Sequence, residues 1–229
     1  MSWLSDLMAS TGRSNADRSM DEARRAQDTV AIANLATGQT ILEIEPGKGW
    51  FTGILLELTR DAGTLIAQQP KALEAFFGKE ARKRIEKSGQ LNAHYSDRSW
   101  EALDAADATV DRAVWLQGPH ELWFEPQPGL TFGRPEVVFA DIARVLKPGG
   151  TFTLIDNLAP KGVTQAQAGA LHRSVPHLLQ EIVQSSGLRL IQEDLEWINE
   201  TPDPLDIPTY DPKAHLKTRQ FLQTFIKSS

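Results

Sequence analysis

The 229-residue chain contains no cysteine, so disulfides and thiolate metal sites are excluded at once. A cysteine-free chain accords with a reducing compartment. No apolar run approaches the length needed to cross a bilayer as a helix. Met1 to Asp21 holds no basic segment followed by an apolar stretch, so no signal peptide is expected and the chain reads as cytoplasmic. Positive charge is also in short supply, with 24 Lys and Arg against 30 Asp and Glu and a formal net charge of −6. Nucleic acid and anionic membranes need a positive field, so neither is expected as a partner. Internal repeats and low-complexity tracts are absent too.

What remains is an ordinary globular balance, 41% hydrophobic and 24% charged, at a size one domain can hold. Residues 1–18 read as a flexible lead-in and residues 19–229 as a single domain. Good helix formers run from Ser19 to Leu35, with Gly38 placed to end them. Strand and helix signals then alternate. Short β-branched or apolar stretches mark strands at 40–44, 64–67, 91–95, 109–116 and 151–155, with two more at 188–197 and 220–227. Between them, Trp50, Phe51, Ile54, Leu55 and Leu58 share one helix face. A second helix is expected from Pro70 to about Lys87, and a third around Val138, Ile142, Val145 and Leu146. A fourth spans Val175 to Val183 with Ser174 as its cap. Asn199 to Pro212, with four prolines, reads as a long loop. The alternation predicts a Rossmann-like, doubly wound α/β fold: a mostly parallel seven-stranded sheet with one antiparallel strand near the C-terminus. Ligands of such sheets bind off the carboxyl ends of the strands.

The sharpest local signal is Glu43-Ile44-Glu45-Pro46-Gly47-Lys48-Gly49-Trp50-Phe51-Thr52. Glycines at 47 and 49 permit a tight turn and close ligand approach, with a helix N-terminus aimed at the same place. A nicotinamide dinucleotide site is disfavoured. Its third glycine falls at Thr52, and the region where a ribose acid is required holds Gln68 and Gln69.

The acid-bearing strand, the Pro-Gly-x-Gly turn and the later Arg144-Val145-Leu146-Lys147-Pro148-Gly149-Gly150 run together resemble class I S-adenosylmethionine-dependent methyltransferases. Within that superfamily, Glu43 to Leu56, the Arg-rich segment before it and Leu171-His172-Arg173 are similar to a bacterial group of predicted methyltransferases. The resemblance implies S-adenosylmethionine as cofactor and a small-molecule acceptor, with a homodimer as an admissible assembly. It places Gly47 and Gly49 beside the methionine end of the cofactor and Glu43 near its ammonium or the turn backbone. Gln69 stands where the ribose acid is usual, Asp97 where an acid receives the adenine amino group, and Gln117 beside the methionine portion. Glu45 replaces the first glycine of the turn, adding bulk and charge that could attract the sulfonium or block the pocket. Glu45 and Gln69 also define an alternative, a fold retained as a non-catalytic ligand-binding or interaction module.

Methyl transfer needs alignment and exclusion of water more than acid–base chemistry. Where the acceptor must lose a proton, His120, in the loop after the fourth strand, is the expected catalytic base, with loop hydrogen bonding as its other reading. Asp156 and Asn157 end the fifth strand at the same rim and could touch substrate. Trp115, Trp123, Phe124 and Phe132 are expected around the mouth, either lining a pocket or filling core. His172 and Arg173 are expected to pair with carboxylates. His94, His177 and His215 show no ligand spacing, and no metal is expected. Arg82, Lys83, Arg84 and Lys87, interspersed with Glu80 and Glu86, read as a solvated helix face.

Overall fold

The computed structural model describes residues 3–10, 12–199, 202–214 and 216–228, so His215 lies outside the described residues. Two short helices come first, α1 (Trp3–Met8) and α2 (Asn15–Ser19), the second closed by a Ser14–Asp17 capping box. These pieces are tied down rather than trailing. Arg13 is buried in a paired contact with Asp21 at 2.6 and 2.7 Å, and Asp17 takes a two-pronged bond from Arg84. Of the helix expected from Ser19 to Leu35, only α3 (Ala26–Ile32) forms, preceded by turns and by Arg25 at φ +48°.

From there the chain alternates through β1 (Thr40–Ile44), α4 (Trp50–Thr59) and β2 (Thr64–Gln68). The helix expected over 70–87 is broken into a 3-10 turn at Lys71–Leu73, then α5 (Glu74–Phe77) and α6 (Glu80–Ser88). The break falls at Gly78, whose φ of +68° no continuing helix can accommodate. The strands β3 (Ala93–Ser96) and β4 (Val110–Leu116) follow, then a 3-10 turn at Pro119–Trp123 and α7 (Pro135–Val145). β5 (Leu146–Asn157) begins five residues before the expected start, because Leu146 already pairs with Val110 across a register shift. A short helix, α8 (Gln165–Ala170), was not expected, although its Thr164–Gln167 capping box is legible in the sequence. α9 (Pro176–Ser185) is capped by Val175 and not by Ser174, whose hydroxyl is engaged by Asp156. β6 (Leu188–Ile198) and β7 (Gln220–Lys227) complete the sheet.

The seven strands lie in the order β3-β2-β1-β4-β5-β7-β6. β7 runs antiparallel to both neighbours and the other pairings are parallel, as expected for a doubly wound sheet with one reversed strand. Alternation along β1 sorts the two faces. Leu42 and Ile44 join Trp115, Phe152 and Leu154 beneath Phe139 and Ile142 of α7 and Leu179 of α9. Ile41 points the other way, with Val114 and Leu65, against Val30, Ile54, Leu55 and Ile85. Both β1 and β4 are central and reverse the strand order between them, so their carboxyl ends open the crevice where ligands of such sheets lie.

Candidate active site

The turn after β1 is built by Glu45 to Gly49. Glu45 sits at φ +56°, Gly47 at +55° and Gly49 at +79°. Gly49 starts α4, and a Cβ there would lie 3.0 Å from the Ala81 Cα, so this glycine serves α4–α6 packing. At Gly47 the added atom would meet only Phe77, at 3.9 Å, so here the backbone faces open space.

That space is a cavity of about 540 Å³ at the carboxyl ends of β1 and β4. Glu43, Glu45, Gly47 and Gln117 line it, joined by Arg24, Trp50, Phe77 and Tyr210. A larger groove, about 620 Å³, runs along the outer surface between α4 and α6 and includes Lys83, Arg84 and Lys87. It lies away from the strand ends, and its cations are interspersed with Asp17, Glu57 and Glu80.

Alternation along β1 aims Glu43 at α4, where it accepts the Thr52 hydroxyl at 2.7 Å. Burial lifts its carboxyl to about 7, against the lowering effects of Thr52 and Arg84. The Glu45 carboxylate accepts the Trp115 indole N–H at 2.8 Å and rests against Gly118, which leaves the space above Gly47 clear. Burial, and then the charge of Glu121, push Glu45 well above the usual carboxylate range. Gln69 is buried and its side-chain oxygen accepts the Gly47 N–H at 3.0 Å. Asp97 is half-exposed and paired with Arg82 at 2.9 Å; neither Gln69 nor Asp97 is among the cavity-lining residues. Gln117 takes φ +61° and donates its N–H to Ile155 O at 2.6 Å.

Arg24 is a cavity residue that no sequence motif marks. It stands 5.0 Å from the Trp50 ring, its Nε has no hydrogen-bond partner, and burial lowers its guanidinium below the ordinary value. The Arg-rich segment before β1 was the available signal, but no spacing distinguished Arg24 from its neighbours.

His120 lies behind this wall, 3% exposed. Its Nδ1 is 2.6 Å from Asp156 and its Nε2 is 3.5 Å from Glu121. Burial disfavours the imidazolium, yet the two carboxylates outweigh it and raise the ring to about 10. Both ring nitrogens thus face carboxylates, and His120 is not among the cavity-lining residues. Asp156 and Asn157 are interior rather than at the rim, 0% and 5% exposed. Asp156 accepts the His120 N–H and the Ser174 hydroxyl, while Asn157 accepts the Thr218 hydroxyl. His172 pairs with Glu121 at 3.0 Å and Arg173 with Asp203 at 2.8 Å, so both meet the carboxylates expected of them. Trp115 and Phe132 are core, and Phe124 packs on the His172 ring at 4.2 Å between centroids. None of the four aromatic residues expected at the mouth lines the cavity. The loop after β6 comes back to the site instead: the Thr209 N–H bonds to Leu171 O, and Tyr210 reaches the cavity and meets the edge of His172.

No protein-family model matches the chain, and no curated protein matches it in sequence. Solved structures do. An S-adenosylmethionine-dependent methyltransferase from Aquifex aeolicus is 16% identical, covers 91% of this chain and 92% of its own, and superposes with a TM-score of 0.64. A geranyl diphosphate methyltransferase, in complex with geranyl diphosphate and sinefungin, is 12% identical over 92% of this chain and 80% of its own, also at 0.64. The cyclase SpnF is 17% identical over 96% of this chain and 84% of its own, at 0.63. The chain therefore has the class I S-adenosylmethionine-dependent methyltransferase fold, as the glycine turn and the Pro-Gly-Gly strand implied.

Proposed function

We propose that this protein binds S-adenosylmethionine in the cavity above Gly47 and transfers its methyl group to a small-molecule acceptor. The observation carrying this reading is that the backbone at Gly47 faces an open cavity of about 540 Å³ at the point where the strand order reverses. The residues present fit the cofactor's chemistry. Glu43 and Glu45 line the cavity with carboxyl groups whose ionised form an incoming ammonium or sulfonium favours against burial, and the unpartnered Nε of Arg24 suits a carboxylate. Trp50, Phe77 and Tyr210 provide aromatic surface for a base. In this reading Gln69 braces the turn, and a small movement brings it to a ribose hydroxyl. Gly49, beneath the turn, secures the start of α4, and Gln117 flanks the methionine portion. Asp97 serves the adenine amino group only by releasing Arg82. The cofactor supplies an activated methyl; the protein aligns donor and acceptor and keeps water out. His120 acts as a positioning residue that holds the loop after β4 against Asp156.

Calorimetric titration with S-adenosylmethionine and with its demethylated product tests the reading. Saturable binding that is lost in Gly47→Asp is the expected result, and absence of binding to either compound overturns it. The commitment of Gln69 to Gly47 and of Glu45 to Trp115 favours a second reading, a binding module without turnover. Tight cofactor binding with no methyl transfer across a broad acceptor panel would select it.

A further inference from the structure

Behind the cavity wall, three side chains converge from separate parts of the chain. His120 and Glu121 come from the 3-10 turn after β4, and His172 follows α8 at φ +52°. One ligand atom from each lies within 4.8 Å of the others. The Glu121 oxygen is 3.0 Å from His172 Nδ1 and 3.5 Å from His120 Nε2. Adjacent ligands of a tetrahedral ion bound at about 2.0–2.2 Å stand roughly 3.3 Å apart, so these two edges match without rebuilding the backbone.

The surroundings of His120 strengthen the match. Its Nδ1 is held by Asp156 at 2.6 Å, which turns Nε2 toward Glu121. Asp156 is itself locked by the Ser174 hydroxyl at 2.6 Å and the His120 N–H at 2.9 Å. A carboxylate behind a histidine, fixing its ring and leaving the far nitrogen free to ligate, is the usual support of a metal-bound imidazole. Two imidazoles and one carboxylate suit zinc and its neighbours better than calcium or magnesium, which prefer oxygen ligands.

We propose that His120 Nε2, Glu121 and His172 Nδ1 form a three-ligand site for a divalent transition ion of the zinc class, with Asp156 orienting His120. Three protein ligands leave a fourth coordination position for water. The site stands independently of methyl transfer, and its test does not require turnover.

Untagged, chelator-stripped full-length protein is titrated with zinc chloride by calorimetry and with cobalt chloride by visible absorption. Saturation at one ion per chain is expected, with the strong visible bands of four- or five-coordinate cobalt. His172→Ala and Glu121→Gln should each weaken binding tenfold or more, and Asp156→Asn by about 10- to 100-fold through loss of orientation. His94→Gln, at an exposed histidine, should leave binding unchanged. Failure of the wild-type protein to bind either ion saturably overturns the proposal and leaves a hydrogen-bonded ion cluster only. Binding that survives Glu121→Gln and His172→Ala in folded protein, checked by circular dichroism, overturns it equally.

Discussion

The side-chain oxygen of Gln69, at the end of β2, accepts the backbone N–H of Gly47 in the turn after β1. The contact is buried and links two neighbouring strand ends at the glycine turn, outside the cavity lining. Gln69→Ala removes the acceptor and leaves the Gly47 N–H unpaired, at a cost of about 1 kcal/mol. Urea unfolding should show that loss, and calorimetry about fivefold weaker cofactor binding, a factor equivalent to the same energy. Gln69→Glu keeps an oxygen for Gly47 and adds charge for a ribose hydroxyl, so tighter binding is expected; weaker binding would remove Gln69 from that role.

Gly47 separates the cavity from the fold. Its φ of +55° costs an L-residue about 1–2 kcal/mol, while the Cβ itself meets nothing closer than 3.9 Å. Gly47→Ala should therefore lower the melting temperature modestly and leave the protein folded. Gly47→Asp should fold comparably yet lose cofactor binding, because a carboxylate then occupies the space. Retained binding by Gly47→Asp in calorimetry would place the ligand elsewhere.

Glu43 makes stability pH-dependent in a predictable sense. Its folded pKa of about 7 lies above the ordinary 4.5, chiefly through burial. Below pH 4.5 both folded and unfolded chains carry the proton and the contribution is complete. As pH rises toward 7 only the unfolded chain releases it, so stability declines, and above 7 the loss levels off at about 3 kcal/mol or less. Glu43→Gln, which keeps an acceptor for Thr52, should abolish this component. The difference between the two proteins in denaturant midpoint, measured from pH 4 to 8, isolates it from other carboxylates; a flat difference would contradict the assignment.

Arg173 and Asp203 form a fully enclosed ion pair, with Arg173 also bonded to Leu158 O at 3.0 Å. Arg173→Met leaves Asp203 buried without a counter-charge, so a loss of about 3–5 kcal/mol is expected in urea unfolding. Arg173→Lys should not restore it, since a single ammonium cannot reproduce the paired bonds. The segment around Tyr210 should then become more open to limited proteolysis, because Asp203 anchors that loop beside the cavity.

Much of the architecture was legible before any coordinates. Five of the expected strands, 40–44, 64–67, 109–116, 188–197 and 220–227, fall within a residue of those observed, because short apolar or β-branched runs flanked by turn residues have few other uses. The misreadings are equally local in cause. Gly78 breaks a helix whose composition on either side is helical, and Lys147 to Gly150 is drawn into β5 because Leu146 before it and Thr151 after it pair with β4. Arg24 was invisible as a cavity residue, since nothing in a run of arginines marks which one folds inward.

The sequence alone determined the order of elements, the reversal at the last strand and the turn at Gly47, because each depends on local propensity, periodicity or a φ only glycine takes cheaply. Tertiary structure decided the chemistry. His120, Glu121, Asp156 and His172 are separated by up to 52 positions, yet folding buries them within contact of one another as one cluster. Electrostatic interaction depends on distance and on exclusion of water, and neither quantity exists until the sheet has brought its strand ends together.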